Sequence, residues 1–478
     1  MGGGASDRRR SAGPGLRSVA AYAAMLAGAA TLYLLVRGHG ASLAAPAASE
    51  AAAQSVGRPP DHVLMHVLLA LVVVIAASRA LSVVFRNFRQ PPVIGEVVAG
   101  IVLGPSVLGR VAPDAMAFLV PNGIASHLGI ISQVGVILFL FLVGLELDPA
   151  GLKERPHTTL AISHASIIVP FLLGSTLALW LYPILSNDRV SFTNFSLFLG
   201  IAMSVTAFPV LARILTDRGE QRTKLGALAL SCAAVDDATA WCLLAFVIGV
   251  ARAQIGDGFL TGGLTVGYVL LMLVVVRPVV KRFVRKQELL GRLSQGAVAS
   301  VFIGLLLSAL VTEVVGIHAV FGAFLLGAII APESLLAREL KRKLEDLVVV
   351  LLLPAFFAVT GLRTQIGLLN SSTDWLVAAA VLCVACVGKV GGTTLAARLT
   401  GLSLRESAAL GILMNTRGLM ELIILNVGLD MGMISPRLFA MMVLMAVFTT
   451  LMTTPLLQLL NRSRTRDEAA GDVAVGRL

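Results

Sequence analysis

Charged and aromatic residues are scarce in this chain. Only 14% of its 478 residues are charged and 6% are aromatic, while 57% are hydrophobic and the mean hydropathy is +0.88. Soluble domains carry about 25% charged residues, so these scarcities exclude an ordinary soluble protein. The 46 glycines suit closely packed membrane helices, and the alternating segments and aromatic girdles of a membrane β-barrel are missing. We therefore expect an all-α protein that spans a bilayer many times.

Motifs of disulfide-rich, redox and metal-dependent proteins are also missing. The four cysteines, Cys232, Cys242, Cys383 and Cys386, all fall in apolar stretches, where a thiol behaves as a small hydrophobic group. The sequence has no His-Glu-x-x-His motif and no glycine-rich phosphate loop after a predicted strand. An intramembrane aspartic protease would need carboxylates on two facing helices. We expect no cofactor and no enzymatic activity.

Long apolar stretches predict thirteen membrane spans, because a helix needs ~20 mostly apolar residues to cross a bilayer. The predicted spans, numbered 1 to 13, are 62–85, 93–109, 127–146, 158–183, 193–215, 224–250, 260–282, 296–315, 318–332, 344–362, 374–399, 405–428 and 437–460. They predict one transmembrane domain over residues 62–460, preceded by an N-terminal segment, 1–61, and followed by a short cytoplasmic tail, 461–478.

The N-terminal segment contains a further apolar stretch, residues 19–36, between four arginines and the Ala/Pro/Ser-rich residues 41–56. A basic start, a short apolar core and small residues are typical both of an extra spanning helix and of a signal peptide cleaved near residues 45–48. We favour the uncleaved helix.

Lysine and arginine are distributed unevenly between the two sides of the predicted bundle. The N-terminal tail, the connections after spans 1, 3, 5, 7, 9 and 11, and the C-terminal tail hold 29 of the 38 Lys and Arg residues, and the opposite side holds seven. Cytoplasmic flanks carry such an excess, so both termini are expected in the cytoplasm if residues 19–36 span. The net charge of +11 is scattered between apolar segments, which argues against nucleic-acid binding. The two remaining cations, Lys389 and Arg417, lie within predicted spans.

An internal repeat relates spans 2 and 3 to spans 9 and 10. Residues 93–105 and 320–332 share the pattern V-x-G-x(4)-G-x(4)-P, and the ends of spans 3 and 10 read Val-Gly-Leu-Glu and Thr-Gly-Leu-Arg. The offset is seven spans, and because seven is odd the two halves must be inverted. Inverted repeats are typical of secondary transporters, whose sites lie near the midplane where the halves meet. We predict two inverted six-helix repeats.

Two adjacent carboxylates, Asp236 and Asp237, lie in the middle of predicted span 6. Each costs ~2.5–3.5 kcal/mol on insertion scales, and such a cost marks a functional site. Neighbouring helical residues point about 100° apart, so one Asp can face a cation partner while the other faces a hydrated cavity. Lys389, near the centre of span 11, is expected to pair with Asp236 because a buried ammonium needs a carboxylate. The alternatives are a purely structural ion pair and a lysine that snorkels to the interface.

Spans 5 and 12 carry helix-breaking residues at corresponding positions. Pro209 in span 5 removes a backbone donor and clashes with the preceding turn, and Gly418 in span 12 weakens a helix in which Arg417 and Glu421 sit at i,i+4. Interrupted helices expose backbone groups that suit ion coordination. The alternative is a packing kink with an internal ion pair. Polar residues at the breaks are therefore candidate ion- or proton-binding residues: Ser204, Thr206, Asn415 and Thr416.

Five sequence stretches resemble the monovalent cation:proton antiporter family, in particular its Kef-type bacterial members, the sodium/hydrogen exchangers and the plant cation/proton exchangers. They are residues 90–106, 143–148, 204–213, 235–238 and 415–418, and the resemblance extends over residues 62–460. It implies a dimerisation domain that holds a mobile core domain, in which spans 5 and 12 are interrupted and cross each other.

The resemblance also implies roles and partners. Asp237 is expected to bind the monovalent cation or a proton, while Asp236 pairs with Lys389, and a paired Asp is typical of charge-moving exchange. The expected partners are Na⁺ or K⁺, H⁺, membrane lipid and a second copy of the chain, in a bacterial inner (plasma) membrane with the C-terminus in the cytoplasm. The sequence lacks the nucleotide-binding and long hydrophilic tails of some family members, so gating of those types is not expected.

The resulting hypothesis is the exchange of Na⁺ or K⁺ for protons by alternating access. In this hypothesis the proton and the cation compete for the Asp237 carboxylate. The alternative is a cation channel without proton coupling, which could use the same carboxylates in a continuous pore. The residues leave the choice between Na⁺ and K⁺ open.

Overall fold

A computed structural model describes residues 16–46, 62–88, 90–121, 123–146, 156–221, 223–252 and 258–475, and every regular element within these ranges is helical. The helices, in chain order, are α1 Leu16–Gly40, α2 Val63–Asn87, α3 Pro92–Leu103, α4 Leu108–Val111, α5 Pro113–Leu119, α6 Ile124–Glu146, α7 Pro156–Leu185, α8 Phe192–Ser204, α9 Phe208–Asp217, α10 Lys224–Arg252, α11 Gly258–Leu271, α12 Arg277–Leu290, α13 Gln295–Val315, α14 Ala319–Ile329, α15 Leu335–Leu347, α16 Leu353–Arg363, α17 Ser372–Cys386, α18 Gly392–Leu399, α19 Leu404–Met414, α20 Leu419–Asp430 and α21 Pro436–Val475. Single π-helical turns, Met272–Val276, Val348–Leu352 and Val387–Gly391, join α11 to α12, α15 to α16 and α17 to α18.

The all-α, multi-pass fold is confirmed, but the count of thirteen full spans is not. Within the described ranges, eleven helical segments are long and apolar enough to cross a membrane, and the bent pair α19–α20 brings the number to twelve. Predicted span 318–332 corresponds to α14, which has only 11 residues and is roughly 16 Å long at 1.5 Å per residue. The last helix, α21, continues to Val475, beyond the predicted end of span 13 at residue 460.

The apolar stretch 19–36 lies within α1, which packs against α7 and α8. Val36 is buried, the hydroxyls of Tyr33 and Ser196 lie 3.4 Å apart, and the Tyr33 ring contacts Phe171. The bundle therefore offers α1 a defined packing site.

Glycine pairs in the centre of the bundle lie at corresponding positions of the predicted repeat. A Cβ atom on Gly361 of α16 would lie 1.9 Å from the backbone carbon of Gly100 in α3, and a Cβ atom on Gly327 of α14 would lie 2.9 Å from the Cα of Gly144 in α6. Helix α3 therefore meets α16 in the same way as α14 meets α6. Such close approach of two backbones requires residues without side chains.

The helices form two packed groups around these contacts. The first, which we call the scaffold, comprises α2, α3, α6, α13, α14, α15 and α16. The second, which we call the core, comprises α7 to α10 and α17 to α21. Each repeat contributes three spans to the scaffold and three to the core. Helices α11 and α12 connect the repeats.

Two interrupted spans cross in the middle of the core. Helix α8 ends at Ser204 and α9 begins at Phe208, while α19 ends at Met414 and α20 begins at Leu419 with a bend of 46°. The extended segments meet through the Ala207 amide, which donates to the Thr416 carbonyl at 3.0 Å. This confirms the predicted pair of interrupted, crossing helices.

The residues at the two breaks explain why the helices stop there. Pro209 is the second residue of α9, a position where its missing N–H leaves no intrahelical bond unmade. Gly418 precedes α20, and a Cβ atom there would lie 2.6 Å from the Val210 side chain. A residue with a side chain at 418 would therefore push α9 away from the crossing.

Candidate ion-binding site

Asp236 is fully buried and bonded by four donors. Its Oδ1 accepts from the Ser163 hydroxyl at 2.5 Å, and its Oδ2 accepts from Ser166 at 2.7 Å, Thr206 at 2.9 Å and Lys389 Nζ at 3.0 Å. The donors come from α7, from the break between α8 and α9, and from the π-helical turn before α18. A buried carboxylate with this many donors is satisfied as an anion.

Lys389 is also fully buried, and all three of its protons have acceptors. Besides Asp236, its ammonium donates to the Ser166 carbonyl at 2.9 Å and to the Ser204 carbonyl at the end of α8. The lysine lies in a π-helical turn, a distortion that is frequent at functional sites. Neighbouring Gly388 lies against Pro170 of α7, and this close packing brings the ammonium within reach of Ser166.

Asp237 differs from its neighbour because no side chain in the described part of the chain bonds to its carboxylate. Only 2% of it is exposed, and no described group completes a hydrogen bond to either carboxylate oxygen. The backbone amide of Phe208, at the start of α9, lies nearby, so the positive end of that helix faces the carboxylate. Since Lys389 balances Asp236, ionisation of Asp237 would leave the cluster with one uncompensated negative charge.

Arg417 and Glu421 form a second buried ion pair, at 3.0 Å. The Arg417 guanidinium also donates to the carbonyls of Ala202 at 2.8 Å and Met203 at 2.6 Å. These carbonyls belong to the last turn of α8. Because the helix ends there, no backbone amide follows to bond to them. Arg417 therefore caps the broken end of α8 and joins it to α20, while Lys389 caps the last carbonyl of the same helix.

The remaining candidate residues lie around the point where the two interrupted spans cross. Thr206 donates to Asp236, and to the Met414 carbonyl at 3.1 Å. The hydroxyls of Ser204 and Thr416 donate to backbone carbonyls, and the Asn415 amide donates to the Cys386 thiol at 3.7 Å. None of these four side chains is bonded to Asp237.

Sequence reasoning missed three hydroxyls that support the cluster. Ser163 and Ser166 bind Asp236, and Thr450 of α21 accepts from the Arg417 amide at 2.9 Å and donates to the Arg417 carbonyl at 2.7 Å. The two serines stand at i,i+3 within an apolar span, and this spacing on one helix face is the signal that could have revealed them. Thr450 lies in a threonine-rich stretch that offers no such signal.

Cavities lie between scaffold and core on both sides of the crossing. The cavity on the side rich in Lys and Arg, called here the basic-side cavity, has a volume of about 400 Å³ and reaches Pro209 and Leu419, in the first turns of α9 and α20. The opposite-side cavity, of about 250 Å³, reaches α20 only as far as Ile423. The basic-side cavity therefore extends to the crossing, and the opposite one stops about one helical turn short of it.

A polar bridge spans the scaffold and the core at the opposite-side cavity. Arg363 of α16 donates to Asp430 at 2.7 Å and to Asn426 at 3.2 Å, both on α20. Asn426 in turn donates to the Thr360 hydroxyl at 2.9 Å. The repeat mate of Arg363 is Glu146, whose described ion pair is with Lys341 of the scaffold, at 2.5 Å. The two sides of the protein therefore differ in what ties scaffold to core.

Comparison with known proteins gives consistent results across the transmembrane region. Residues 61–459 match the family model for the transmembrane region of sodium/hydrogen exchangers. The chain is 45% identical over 395 residues to Na(+)/H(+) antiporter NhaS4 from Synechocystis sp., which covers 82% of this chain and 96% of that relative. It is 41% identical over 408 residues to Cation/H(+) antiporter 17 from Arabidopsis thaliana, covering 83% of this chain and 48% of the relative. The chain thus spans about half the length of that plant protein.

The fold is similar to that of a solved structure, the sodium proton antiporter MjNhaP1 from Methanocaldococcus jannaschii at pH 8. The TM-score is 0.56, and the match covers 81% of this chain and 94% of the archaeal one. The sequences are only 14% identical, so this likeness shows a shared fold and nothing finer.

Proposed function

The chain belongs to the sodium/hydrogen exchanger family, and from this membership we propose a secondary active transporter that exchanges Na⁺ or K⁺ for protons. It is a multi-pass membrane transporter and not an enzyme. The similarity to NhaS4 over nearly the whole length of that antiporter supports cation/proton exchange.

The observation that carries the proposed mechanism is the difference between the two adjacent aspartates. Asp236 has four donors, one of them Lys389, whereas the Asp237 oxygens have none among the described groups. An unbalanced carboxylate at membrane depth is costly, and either a proton or a monovalent cation removes that cost. Asp237 is therefore the shared binding group, and competition between the two ligands couples their movements.

Alternating access follows from the inverted repeat and the two cavities. Helices α3, α6, α9 and α16 line the basic-side cavity, and their repeat mates α14, α16, α20 and α6 line the opposite one. A movement of the core against the scaffold can close one cavity while it opens the other. In the present arrangement the basic-side cavity ends at Pro209 and Leu419, and Asp237 is buried and lines neither cavity.

The test is cation-dependent proton flux in liposomes that contain the purified protein, with Na⁺, K⁺ or Li⁺ added against an imposed pH gradient. We expect uphill cation movement in the wild type and flux equal to that of protein-free liposomes for Asp237→Asn. Asp346→Asn, at an exposed basic-side carboxylate, is the matched control and should behave as the wild type. Undiminished flux in Asp237→Asn would refute the site, and downhill cation flux without proton movement would indicate a channel.

We propose that the basic side faces the cytoplasm, because it holds most of the Lys and Arg residues, with the C-terminus on that side. We also propose that two copies of the chain form a homodimer through their scaffolds, and that the protein lies in a bacterial plasma membrane. The orientation is tested by labelling an engineered cysteine at position Glu345 from one face of sealed cells. The homodimer is tested by cross-linking in membranes.

We also propose that residues 1–61 include a retained helix, α1, ahead of the transmembrane domain, 62–460, and the tail, 461–478. The packing of α1 on α7 and α8 supports retention, since a cleaved signal peptide needs no docking site. The intact mass of the purified protein tests it: a loss of about 45 residues, in line with a signal-peptide cleavage site, would refute retention.

A further inference from the structure

Glu96 is a buried carboxylate on the wall of the basic-side cavity. It lies on α3 and is only 9% exposed, yet no described side chain lies within hydrogen-bonding or ion-pairing distance of it. The nearest opposite charge is Arg79 on α2. An ionisable residue within a membrane-spanning helix is expensive to keep, and without a partner it points to a functional role.

Glu96 lines the cavity that extends from the basic side to the helix crossing. The cavity begins among Arg79 and Arg86 and ends at Pro209 and Leu419. Pro209 directly follows Phe208, whose amide lies near Asp237. A cation or proton in this cavity therefore meets Glu96 and lies close to the start of α9, which faces Asp237.

The local packing holds Glu96 in this position. A Cβ atom on neighbouring Gly95 would lie 2.6 Å from the Ser82 amide, so this face of α3 is pressed against α2. Ser82 also donates its hydroxyl to the Pro92 carbonyl at 3.0 Å. Because successive helical residues point about 100° apart, fixing Gly95 on α2 turns Glu96 toward the cavity.

The repeat shows that the fold itself does not require a carboxylate here. Gly95 corresponds to Gly322 in the second repeat, so Glu96 corresponds to Ala323, which is fully buried. The same helix crossing is thus built with a small apolar residue on the opposite side. Of the two corresponding positions, only the one on the basic side, Glu96, carries a carboxylate.

Glu96 also stands out among the charged groups that line the cavity. The others are Arg79, Arg86 and Arg213, and Arg213 is paired with Asp217 at 3.1 Å. Glu96 is the single carboxylate on the described wall of this cavity. A cation that entered past the arginines would find its favourable electrostatic contact at Glu96.

We propose that Glu96 is a second binding station, at which a monovalent cation or a proton from the basic side binds before it transfers to Asp237. The proposal rests on the proposed antiport function and adds a step to it. Glu96 lies on the scaffold and Asp237 on the core, so the station stays in place while the core moves.

The experiment measures antiport in vesicles whose basic side faces the added cation, as a function of cation concentration and pH. Glu96→Gln should raise the apparent KM for the cation about tenfold and alter the pH profile, with kcat within about twofold of the wild type. Glu96→Asp keeps the charge and should restore the KM to within about threefold. Glu345→Gln, at an exposed basic-side carboxylate outside the cavity, should match the wild type.

The variants separate failure of this proposal from failure of the proposed function. If Asp237→Asn remains active, the antiport mechanism is wrong whatever Glu96 does. If Asp237→Asn is inactive but Glu96→Gln retains the wild-type KM and pH profile, Glu96 is not a station. Equal loss of kcat in Glu96→Gln and Glu96→Asp, with unchanged KM, would show a packing role and overturn the proposal.

Discussion

Two adjacent residues of identical chemistry have different surroundings at this site. Asp236 and Asp237 both lie on α10, but their side chains point in different directions and meet different neighbours. Asp236 meets α7, the α8–α9 break and Lys389, while Asp237 faces the start of α9. In the proposed mechanism, the first aspartate is therefore part of the framework and the second binds the ion.

The Asp236–Lys389 pair should contribute strongly to folding stability. Removing one member of a buried ion pair leaves an uncompensated charge and costs ~3–5 kcal/mol. We expect Asp236→Asn or Lys389→Gln to lower the thermal unfolding midpoint markedly, and the double variant to lose less than the sum of the two. The control is Glu339→Gln, which removes a half-exposed pair with Arg342 and should cost less than ~1 kcal/mol. Equal thermal unfolding midpoints for Asp236→Asn and Glu339→Gln would contradict a stabilising role for the buried Asp236–Lys389 ion pair.

Helices in the scaffold depend on glycines at the points where the two repeats touch. A Cβ atom on Gly144 of α6 would lie 2.4 Å from the Phe324 carbonyl oxygen, whereas a Cβ atom on Gly129 of the same helix would meet nothing within 4 Å. We expect Gly144→Ala to destabilise the protein by ~1–3 kcal/mol through overpacking. Gly129→Ala should be neutral or stabilising by up to ~1 kcal/mol, because alanine favours the helix.

Unfolding midpoints and the yield of monodisperse protein measure this difference. A Gly144→Ala variant as stable as Gly129→Ala would show that the repeats do not pack as closely as the structure has them.

The polar bridge from α16 to α20 should bias the core toward its present position. Arg363 and Asp430 are both partly exposed, so their contact is worth ~0–1 kcal/mol, or up to about fivefold in a conformational equilibrium. In Arg363→Gln we expect a cysteine placed at Ile423, on the opposite-side cavity, to react up to about fivefold faster with an impermeant maleimide.

The matched control for this bridge is Lys341→Gln, which breaks the repeat-related pair with Glu146 inside the scaffold. It should leave the labelling rate unchanged. If both variants accelerate labelling equally, the bridge between scaffold and core has no special effect.

For the whole molecule, the proposed exchange requires that the proton and the cation do not occupy Asp237 together. Competition for one carboxylate predicts that the apparent KM for the cation rises as pH falls, by up to about tenfold per unit, while the maximal rate at saturating cation changes little. Initial rates over a grid of pH and cation concentrations measure this. A constant KM with a falling maximal rate would indicate separate sites for the two ions.

Much of the architecture could be read from sequence alone because membrane folding imposes local rules. A bilayer requires long apolar helices, so the spans follow from residue type over windows of about 20 residues. The two helix interruptions could be predicted from Pro209 and Gly418, because proline and glycine weaken a helix at their own position, whatever lies around it. The count of thirteen full-length spans is not confirmed, because α14 has only 11 residues, and a helix packed inside the bundle can be shorter than the bilayer is thick.

What the sequence determined by itself was the cost of its polar residues: two aspartates, one lysine and one arginine within apolar spans mark a site, because charge at membrane depth is expensive wherever the helices lie. The sequence also predicts the pairing of Asp236 with Lys389, but the hydroxyl donors that complete the site follow only from the way the helices pack. The donors of Asp236 come from residues 30 to 153 positions away in the chain, and the scaffold contact that turns Glu96 into the cavity involves a different helix. Such contacts depend on how helices pack, and residue type along one helix does not encode them.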